Sequence, residues 1–515
     1  MRNTIGNMEI KVVIEDVVPE QEHILMTRPG EDSISFVEVM SRLGLKYYRP
    51  CGGIAKCLSC AVRFVYGAPE MTAEDERALE FWEMRKGWRL GCKCTITKDC
   101  KIQVPKRLVS EINSIGAPQS MDVLPLDKTN IAIAVDIGTT TLAAAAVELN
   151  TGKVLRQYTW TNGQLKYGSD VMSRVKAAID GHSEELQKLV VNDLIKIGTK
   201  IIGKDFLTHK VVASGNTVMT HLILKYPVDG MAKYPFVPYT TDAVKFREER
   251  RDIFFMPPIS AFVGGDIVAG LYYIKQQAKA KKKEDDKFLL VDMGTNAELV
   301  LFDGQKYWCS SASAGPALEG ASLGCGVASV RGAINHLSIN DGKVKYTTIG
   351  GEKPIGLCGS GVIDLIHELK RNNIIDDGGL LRDEYSEKGF PIAENIVVSG
   401  EDIQQVILAK AAIRSGIEML LDASGVSVDD IDHLYIAGGL GASVGIWSAA
   451  GIGLFPPQLL NKFESIGNAS LMGDIAFILD PNEDELKAIK DNSQIVILAT
   501  DPKFEQLFIE YLNLS

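Results

Sequence analysis

The sequence has little that would attract a polyanion. Acidic residues outnumber basic ones by 66 to 55, which gives the 515-residue chain a formal net charge of −11. Clustered Lys and Arg are what hold nucleic acids and anionic membranes, so neither is expected as the main partner. A nucleotide is not excluded, because glycine loops and helix N-termini bind phosphate without net positive charge.

Long apolar runs are also missing. Stretches such as NIAIAVDIG (130–138) are far shorter than the roughly 20 residues of a membrane-spanning helix. The first residues, MRNTIGNMEIKVV, contain no apolar segment followed by a small-residue cleavage site, so we expect no secretory signal and a soluble, cytoplasmic protein. The length exceeds what one hydrophobic core supports and predicts three or four structural units.

Two common nucleotide-binding signatures are absent from the sequence. We find neither the G-x-x-x-x-G-K-[ST] P-loop nor the G-x-G-x-x-G strand–helix junction of dinucleotide-binding folds. A nucleotide site in this chain must therefore be of another type.

Cysteine is scarce and unevenly placed. Of nine cysteines, six lie between residues 51 and 100. In a large intracellular chain such a cluster indicates metal or redox chemistry rather than structural disulfides. The scattered Cys309, Cys325 and Cys358 are expected to be small buried residues.

The first hundred residues predict a β-grasp ferredoxin domain. MEIKVVIED and EHILM read as a strand pair, and SISFVEVMSRLGL has apolar residues at helical spacing. The cysteine loop follows, then a strand (AVRFVYG) and a short helix starting at Thr72, where T-x-x-D resembles a capping box. WRLGCKCTI and CKIQVP close the domain as extended segments.

The decapeptide CGGIAKCLSC carries Cys51, Cys57 and Cys60 with the spacing C-x5-C-x2-C. A plant-type [2Fe–2S] cluster takes three thiolates from one loop and a fourth from a distant position. Gly52 and Gly53 suit a backbone that wraps closely around such a cluster. Zinc is the alternative, but structural zinc sites usually pair two short C-x2-4-C knuckles, and only one is present here.

The fourth thiolate is left open by the spacing. Cys92, Cys94 and Cys100 compete for this position. In an extended chain, Cys94 would point to the same face as Cys92, two residues further along.

A second feature occurs twice. NIAIAVDIGTTTLAAAAVEL and KFLLVDMGTNAELVLF share an apolar strand, an Asp, a Gly-Thr turn and a second apolar strand. A repeat at this scale predicts two related lobes. The Asp at the strand end can hold Mg²⁺, and the turn can offer backbone N–H and hydroxyl groups to phosphate.

Near the C-terminus, LYIAGGLGAS places Gly438, Gly439 and Gly441 after a strand, where a flat adenine could approach the backbone. The order of two phosphate turns followed by this glycine segment resembles the superfamily of sugar kinases, actin and heat-shock chaperone ATPases. In that superfamily two lobes hinge about a nucleotide cleft.

The combination of both halves resembles the reductive activators of corrinoid-dependent enzymes. The resemblance covers nearly the whole chain and rests on RLGCK, YGSDVMSRV, GNTVMTHLI, FVGGDIVAG, VDMGTNAELVL, SAGPALEGA, LCGSGVIDLI, LAKAAIRSGI, IAGGLGAS and GNASLMG. It implies an ATP-hydrolysing iron–sulfur reductase that reduces the Co(II) corrinoid of a partner methyltransferase protein to Co(I). It also implies a low-potential electron donor, and a homodimer is plausible.

The resemblance implies roles for individual residues. The fourth cluster ligand is Cys92, joining Cys51, Cys57 and Cys60. The first phosphate turn contains Asp136, Gly138, Thr139 and Thr140, and the second contains Asp292, Gly294, Thr295 and Asn296. Gly438 and Gly439 form the adenosine site, and Glu319 is either a catalytic or Mg²⁺-linked carboxylate or a structural residue. Met293 and Ala297 stand where Ile and Gly are expected.

We therefore expect an α+β and α/β multidomain protein. The predicted organisation is a β-grasp [2Fe–2S] ferredoxin domain (1–104), a linker (105–128), a first ATPase lobe (129–285) and a second lobe (286–515) of an actin-like or sugar-kinase-like fold. The alternatives are an ATPase activator of another low-potential enzyme, a redox-gated ATP-binding docking module, and a small-molecule kinase with a fused ferredoxin.

Overall fold

The computed structural model places most of the chain. It describes residues 8–14, 21–28, 31–43, 45–47, 60–79, 84–104, 109–111, 130–168, 170–203, 209–248, 251–320, 322–340, 342–438 and 444–514. Of the residues singled out above, Cys51, Cys57, Gly439 and Gly441 lie outside the described residues. The chain forms two compact units, one of residues 1–114 with 165–173 and one of residues 115–164 with 174–515.

The first unit is built around one sheet and one helix. Its strands are β1 (Glu9–Ile14), β2 (Gln21–Met26), β3 (Ile34–Ser35), β4 (Leu45–Tyr47), β5 (Ala61–Tyr66), β6 (Trp88–Leu90), β7 (Thr95–Ile96), β8 (Cys100–Val104) and β9 (Val109–Glu111), and its helices are α1 (Phe36–Arg42) and α2 (Ala73–Ala78). Five strands pair in the order β2-β1-β8-β5-β6, with β1 antiparallel to β2 and parallel to β8.

Helix α1 covers one face of this sheet. Phe36, Val39 and Met40 are fully buried and belong to the same core as Val12 and Ile102 of the sheet. Complete burial of such side chains stabilises the folded state by about 1.5–3 kcal/mol each. Helix α2 begins as predicted, with a reciprocal capping box between Thr72 and Asp75. The β-grasp fold expected from the sequence is confirmed.

The strands from residue 130 onward form two large sheets and two small ones. They are β10 (Ile131–Ile137), β11 (Thr141–Glu148), β12 (Val154–Thr161), β13 (Lys210–Gly215), β14 (Val244–Glu248), β15 (Arg251–Phe255), β16 (Phe288–Met293), β17 (Ala297–Phe302), β18 (Tyr307–Ala312), β19 (Ala333–Asn340), β20 (Lys343–Thr348), β21 (Gly356–Leu357), β22 (Phe390–Ala393), β23 (Ile396–Val398), β24 (His433–Ala437), β25 (Phe463–Gly467) and β26 (Ser493–Ile495).

The helices from residue 171 onward connect and cover these sheets. They are α3 (Val171–Ala177), α4 (Ser183–Ile202), α5 (Thr217–Leu224), α6 (Gly265–Lys281), α7 (Gly359–Arg371), α8 (Asp383–Ser386), α9 (Gly400–Ser424), α10 (Ile446–Gly451), α11 (Ala469–Leu479), α12 (Glu483–Asp491) and α13 (Pro502–Glu510). Within the part of the chain that the structure describes, none of the helices combines the length and the apolar composition needed to cross a bilayer.

The two large sheets repeat one topology. Each begins with an antiparallel meander, β10-β11-β12 in one sheet and β16-β17-β18 in the other. The first strand of each meander then pairs in parallel with a later strand, β13 or β24, and that strand pairs in parallel with another, β15 or β25. The repeat predicted from the two Gly-Thr turns is therefore confirmed at the level of whole sheets.

Helices α6 and α11 join the two sheets in one core. Buried residues of both helices belong to the same cluster as Ala134 of β10 and Leu290 of β16. The helices cross at small residues, because a Cβ atom on Gly473 would lie 1.9 Å from the carbonyl oxygen of Ala269. This close crossing carries the N-termini of both helices to the ends of β10 and β16, where the predicted turns lie.

Candidate functional site

The first predicted phosphate turn is a tight hairpin between β10 and β11. Asp136 is the penultimate residue of β10, and Ile137 pairs with Leu142 across the turn. A side chain at position 138 would place its Cβ 2.4 Å from the carbonyl oxygen of Thr141, so glycine is required there. The turn therefore leaves its backbone uncovered by side-chain atoms at Gly138.

Three polar side chains fix the conformation of this turn. Asn162 donates through Nδ2 to the carbonyl oxygen of Gly138 at 2.9 Å, and its backbone N–H donates to Thr140 at 2.8 Å. Asn216, the N-cap of α5, donates to the hydroxyl of Thr139 at 2.9 Å. The guanidinium of Arg174, which is fully buried, donates to the carbonyl oxygen of Thr139.

Sequence reasoning missed these supports. Arg174 and Asn216 lie in the quoted motifs YGSDVMSRV and GNTVMTHLI, but their spacing from the turn gives no sign of a contact. Asn162 lies in no quoted motif. The signal that could have found Asn216 is its place directly before an apolar helical run, where Asn commonly caps a helix.

The second predicted turn joins β16 to β17 in the same way. Asp292 is the penultimate residue of β16, and the N–H of Gly294 donates to the carbonyl oxygen of Asn296 at 3.0 Å. The hydroxyl of Thr295 donates to Oε2 of Glu319 at 3.0 Å. Glu319 thus lies beside the second turn, at the end of a short 3-10 helix (Pro316–Glu319).

Gly438 lies against the second turn. Its φ of +87° is in the region that favours glycine, and a Cβ there would lie 2.4 Å from the carbonyl oxygen of Met293 and 2.8 Å from Oδ1 of Asp292. The C-terminal glycine segment therefore begins at the end of β24, next to the carboxyl of Asp292.

Three buried carboxyls from different elements act on one another at this end of the sheets. Burial raises the pKa of Asp136 to about 6, that of Asp266 to about 7 and that of Asp292 to about 8. The next cause is mutual repulsion, of Asp136 on Asp266 and of Asp266 on Asp292. The structure thus brings together the Asp residues of both predicted turns and adds Asp266, from the first turn of α6.

Further polar groups surround these carboxyls. Asn468, the N-cap of α11, donates to Oδ2 of Asp136 at 2.7 Å. The hydroxyl of Ser214 donates to Oδ2 of Asp474 at 2.8 Å, whereas the buried Oδ1 of Asp474 has no hydrogen-bond partner. Burial also raises the pKa of Glu298, with Asp266 as the next cause.

The carboxyls suit a hard cation that retains water. Among the described residues, no three carboxyl, thiol or imidazole groups are close enough to enclose a metal ion by themselves. Mg²⁺ commonly keeps several waters and is bound by one or two carboxylates together with substrate phosphates. A buried group of mutually repelling carboxyls fits such an ion, because the cation would relieve the repulsion.

The two described candidate cluster ligands lie together. The Sγ atoms of Cys60 and Cys92 are 3.3 Å apart, and the N–H of Gly91 donates to the carbonyl oxygen of Cys60 at 2.9 Å. Two thiolates bound tetrahedrally to one metal ion at about 2.3 Å would be about 3.8 Å apart. The pair therefore fits thiol ligands that share one iron.

Cys94 does not lie on the same face as Cys92, and the expectation of an extended chain here is wrong. The N–H of Lys93 donates to Leu90 at 2.8 Å, so the backbone turns at Gly91–Lys93. Cys94 is consequently buried, with its Sγ 3.4 Å from the carbonyl oxygen of Leu90. Cys100 is also fully buried, in β8, and burial raises the pKa of its thiol to about 12.

The remaining cysteines lie in the core, as expected. Cys309, Cys325 and Cys358 are buried, and burial raises the pKa of Cys309 to about 12. A high pKa leaves the thiol protonated, which disfavours ligand or nucleophile chemistry.

Comparison with known proteins places the second unit in one family. Residues 286–515 match the family described as the C-terminal domain of RACo, the ASKHA domain, and residues 131–279 match the RACo middle region. A shorter similarity is to one polypeptide of the Na(+)-translocating NADH-quinone reductase of Chlamydia pneumoniae, at 27% identity over 111 residues, 22% of this chain and 26% of that polypeptide.

Longer similarities agree with this match. The corrinoid activation enzyme RamQ of Eubacterium limosum is 31% identical over 423 residues, covering 74% of this chain and 70% of that protein. The Co(II) methylated amine-specific corrinoid protein reductase of Methanosarcina barkeri is 22% identical, covering 73% of this chain and 76% of that protein. The solved structure of a reductive activator for corrinoid, iron-sulfur protein aligns over 98% of both chains with a TM-score of 0.66 and 26% identity. The resemblance and fold class inferred from the sequence are confirmed: the chain belongs to the family of corrinoid activation enzymes with a C-terminal ASKHA domain.

Proposed function

We propose that this protein is an ATP-dependent reductive activator. It passes one electron through an iron–sulfur cluster to the Co(II) corrinoid of a partner protein in a methyltransferase system, and the cobalt becomes Co(I). The observation that carries the proposal is the meeting of Asp136, Asp266 and Asp292 at two equivalent turns in a member of the corrinoid activation family. A low-potential donor supplies the electron. A cytoplasmic location and the domain boundaries drawn from the sequence stay predictions.

The two turns bind the phosphates of ATP in this proposal. Gly138–Thr140 and Gly294–Asn296 offer backbone N–H groups and hydroxyls to phosphate oxygens. Asp136 and Asp292 hold Mg²⁺, partly through water, and the ion offsets the repulsion that raises the pKa of Asp292. Gly438, with Gly439, receives the adenosine, and Glu319 orients the hydroxyl of Thr295 to which it is bonded.

Cys60 and Cys92 are proposed as ligands of the cluster, with Cys51 and Cys57. Their 3.3 Å separation supports this assignment, and the burial of Cys94 and Cys100 supports Cys92 as the fourth ligand. When bound, a cluster of the [2Fe–2S] type supplies one electron at a potential of about −400 mV in plant-type ferredoxins. Iron and sulfide analysis with electron paramagnetic resonance (EPR) tests the cluster type and is expected to give two of each per chain.

Energy coupling explains why a nucleotide site and a cluster share one chain. A Co(II) corrinoid is harder to reduce than such a cluster, and each 59 mV of uphill one-electron transfer costs about 1.4 kcal/mol. Nucleotide binding can offset this cost only if ATP and the corrinoid partner favour different conformations of one two-state element. The two sheets that carry the turns are that element: their closure on ATP changes the coordination of the cobalt and makes its reduction easier.

The substitution Asp292→Ala tests the coupling. The variant is expected to retain the cluster but to lose ATP-dependent Co(I) formation, because it lacks the carboxylate at the second turn. The measurement is anaerobic spectroscopy of Co(II)-to-Co(I) conversion with candidate corrinoid proteins, ATP and a low-potential reductant. Asp429→Ala, at an exposed position of the same unit, is the matched control and should remain active. Undiminished ATP-driven reduction by Asp292→Ala would refute the coupling.

A further inference from the structure

A buried carboxylate lies within the first unit next to the candidate cluster ligands. Asp75 is 1% exposed and occupies the third position of α2. Its Oδ2 accepts hydrogen bonds from the N–H and from the hydroxyl of Thr72, each at 2.9 Å. A capping box needs only this oxygen, so the other oxygen of Asp75 is available for a different contact.

The second oxygen reaches the segment that carries Cys92. Oδ1 of Asp75 accepts from the backbone N–H of Leu90 at 2.7 Å. Leu90 pairs with Ala61 across β5 and β6, and the next residue, Gly91, donates to the carbonyl oxygen of Cys60. The carboxylate is therefore bonded to a peptide that lies between the two candidate ligands, adjacent to Cys60 in space and two residues before Cys92 in the chain.

The charge of Asp75 is not shielded by water at this position. All the groups that contact its oxygens are donors, as an ionised carboxylate requires because it can only accept. Burial weakens screening, so a charge acts more strongly on its neighbours than it would at the surface. Burial is the largest cause of the raised pKa of Cys94, and the charge of Asp75 is the next, so its field reaches this loop.

The nearest buried cation is directed elsewhere. Arg89 is buried, and its guanidinium donates to the carbonyl oxygens of Pro69, Met84 and Trp88. Arg89 lowers the pKa of Cys94 less than Asp75 raises it. The net electrostatic effect of this pair on the loop is therefore negative.

We propose that Asp75 lowers the reduction potential of the cluster held at Cys60 and Cys92, and so increases the driving force for electron transfer to the corrinoid. Reduction adds one electron to the cluster, and a fixed negative charge nearby disfavours that added charge; no bond or proton is exchanged. This inference rests on the proposed function for its purpose. Asp75 acts as a tuning residue, because it contacts the backbone between the ligands and not the cluster itself.

The test is an EPR-monitored redox titration of the full-length protein with its reconstituted cluster, without ATP or corrinoid. Asp75→Asn, which removes the charge at nearly constant size, should shift the midpoint potential to a more positive value. Thr72→Ala breaks the same capping box but keeps the charge, so it should lower the unfolding temperature and leave the potential unchanged. Asp32→Asn removes an exposed charge in the same unit and should also leave the potential unchanged.

Several outcomes would overturn the proposal. An unchanged potential in Asp75→Asn would do so, as would an equal shift in Thr72→Ala, which would point to the structure of the loop instead of the charge. If Asp75→Asn does not retain the cluster, Asp75→Ser takes its place; loss of the cluster from both neutral variants would assign Asp75 to cluster assembly and reject the tuning role. Because the titration omits ATP and corrinoid, it remains informative even if the activator function fails.

Discussion

At the scale of single residues, the first phosphate turn depends on side chains that are distant in sequence. Arg174 is fully buried, and besides Thr139 it donates to Gln164 at 3.2 Å. Removing its guanidinium would leave the carbonyl oxygen of Thr139 without this donor in a buried environment. The residue therefore positions the turn and need not contact the nucleotide.

The substitution Arg174→Met tests this role. We expect ATP affinity to fall roughly tenfold or more, because an unsatisfied buried polar group costs about 1–3 kcal/mol and the turn would relax. Equilibrium titration with a fluorescent ATP analogue measures the change. Arg156→Met is the matched control, since Arg156 also donates to a backbone carbonyl, that of Ile201 at 3.0 Å. Equal weakening in both variants would contradict a specific role for Arg174.

The buried carboxyls predict a pH dependence of stability. Asp136, Asp266 and Asp292 have pKa values of about 6, 7 and 8 in the folded protein, all above the usual value of about 3.9. A raised pKa stabilises the folded state below the unfolded-state pKa, and this stabilisation is lost as pH rises through the folded-state value. The unfolding temperature of the nucleotide-free protein should therefore fall between about pH 5 and pH 8.5.

The control for this prediction is Asp292→Asn. Without the group of highest pKa, the decline between neutral and alkaline pH should be shallower, as measured by thermal unfolding at several pH values. A decline of the same steepness in the variant would show that other groups are responsible.

At the scale of elements, the crossing of α6 and α11 is close because glycine lies at the contact. Gly473 allows α11 to approach Ala269, and Gly270 faces Ala469, where an added Cβ would lie 3.2 Å from the existing one. This crossing fixes Asp266 at the start of one helix and Asn468 at the start of the other. The position of the polar cluster thus depends on helix packing as well as on the turns.

Gly473→Ala should destabilise the protein by about 1–3 kcal/mol, because the helices would have to separate to accommodate the methyl group. Thermal unfolding measures the loss. The control is Gly400→Ala in the first turn of α9, where an added Cβ meets no atom within 4 Å. A similar loss of stability in both variants would argue against the crossing as the cause.

Local patterns predicted the elements well. The alternation around Ile10 and Val12, the apolar spacing after Phe36 and the Thr72 capping signal correspond to β1, α1 and α2. The turn that separates Cys92 from Cys94 was not predictable, because it depends on the pairing of β6 with β5 and on Asp75. A short run of residues with alternating burial does not reveal such tertiary contacts.

At the scale of the whole molecule, the sequence predicted the two repeats and the Asp residues at their turns. It did not predict Asp266, Asn468 or Asp474, although the first two lie in quoted motifs and the third directly follows one. They reach the turns through helices α6 and α11, which pack between two sheets formed by widely separated parts of the chain. A motif indicates that a segment has a specific role, but the partner of that segment becomes visible only in the folded chain.

The bond between Asn468 and Asp136 joins residues 332 positions apart. A ribosome synthesises Asp136 and the first turn early, completes the second turn at Asn296, and adds Asn468 only when about nine-tenths of the 515 residues have been made. The last helices to be synthesised must return to the first sheet before its turn has its full set of contacts. An incomplete chain that stops before residue 468 therefore carries both turns but lacks the helix that completes the site, so unfinished copies cannot consume ATP as the finished protein does.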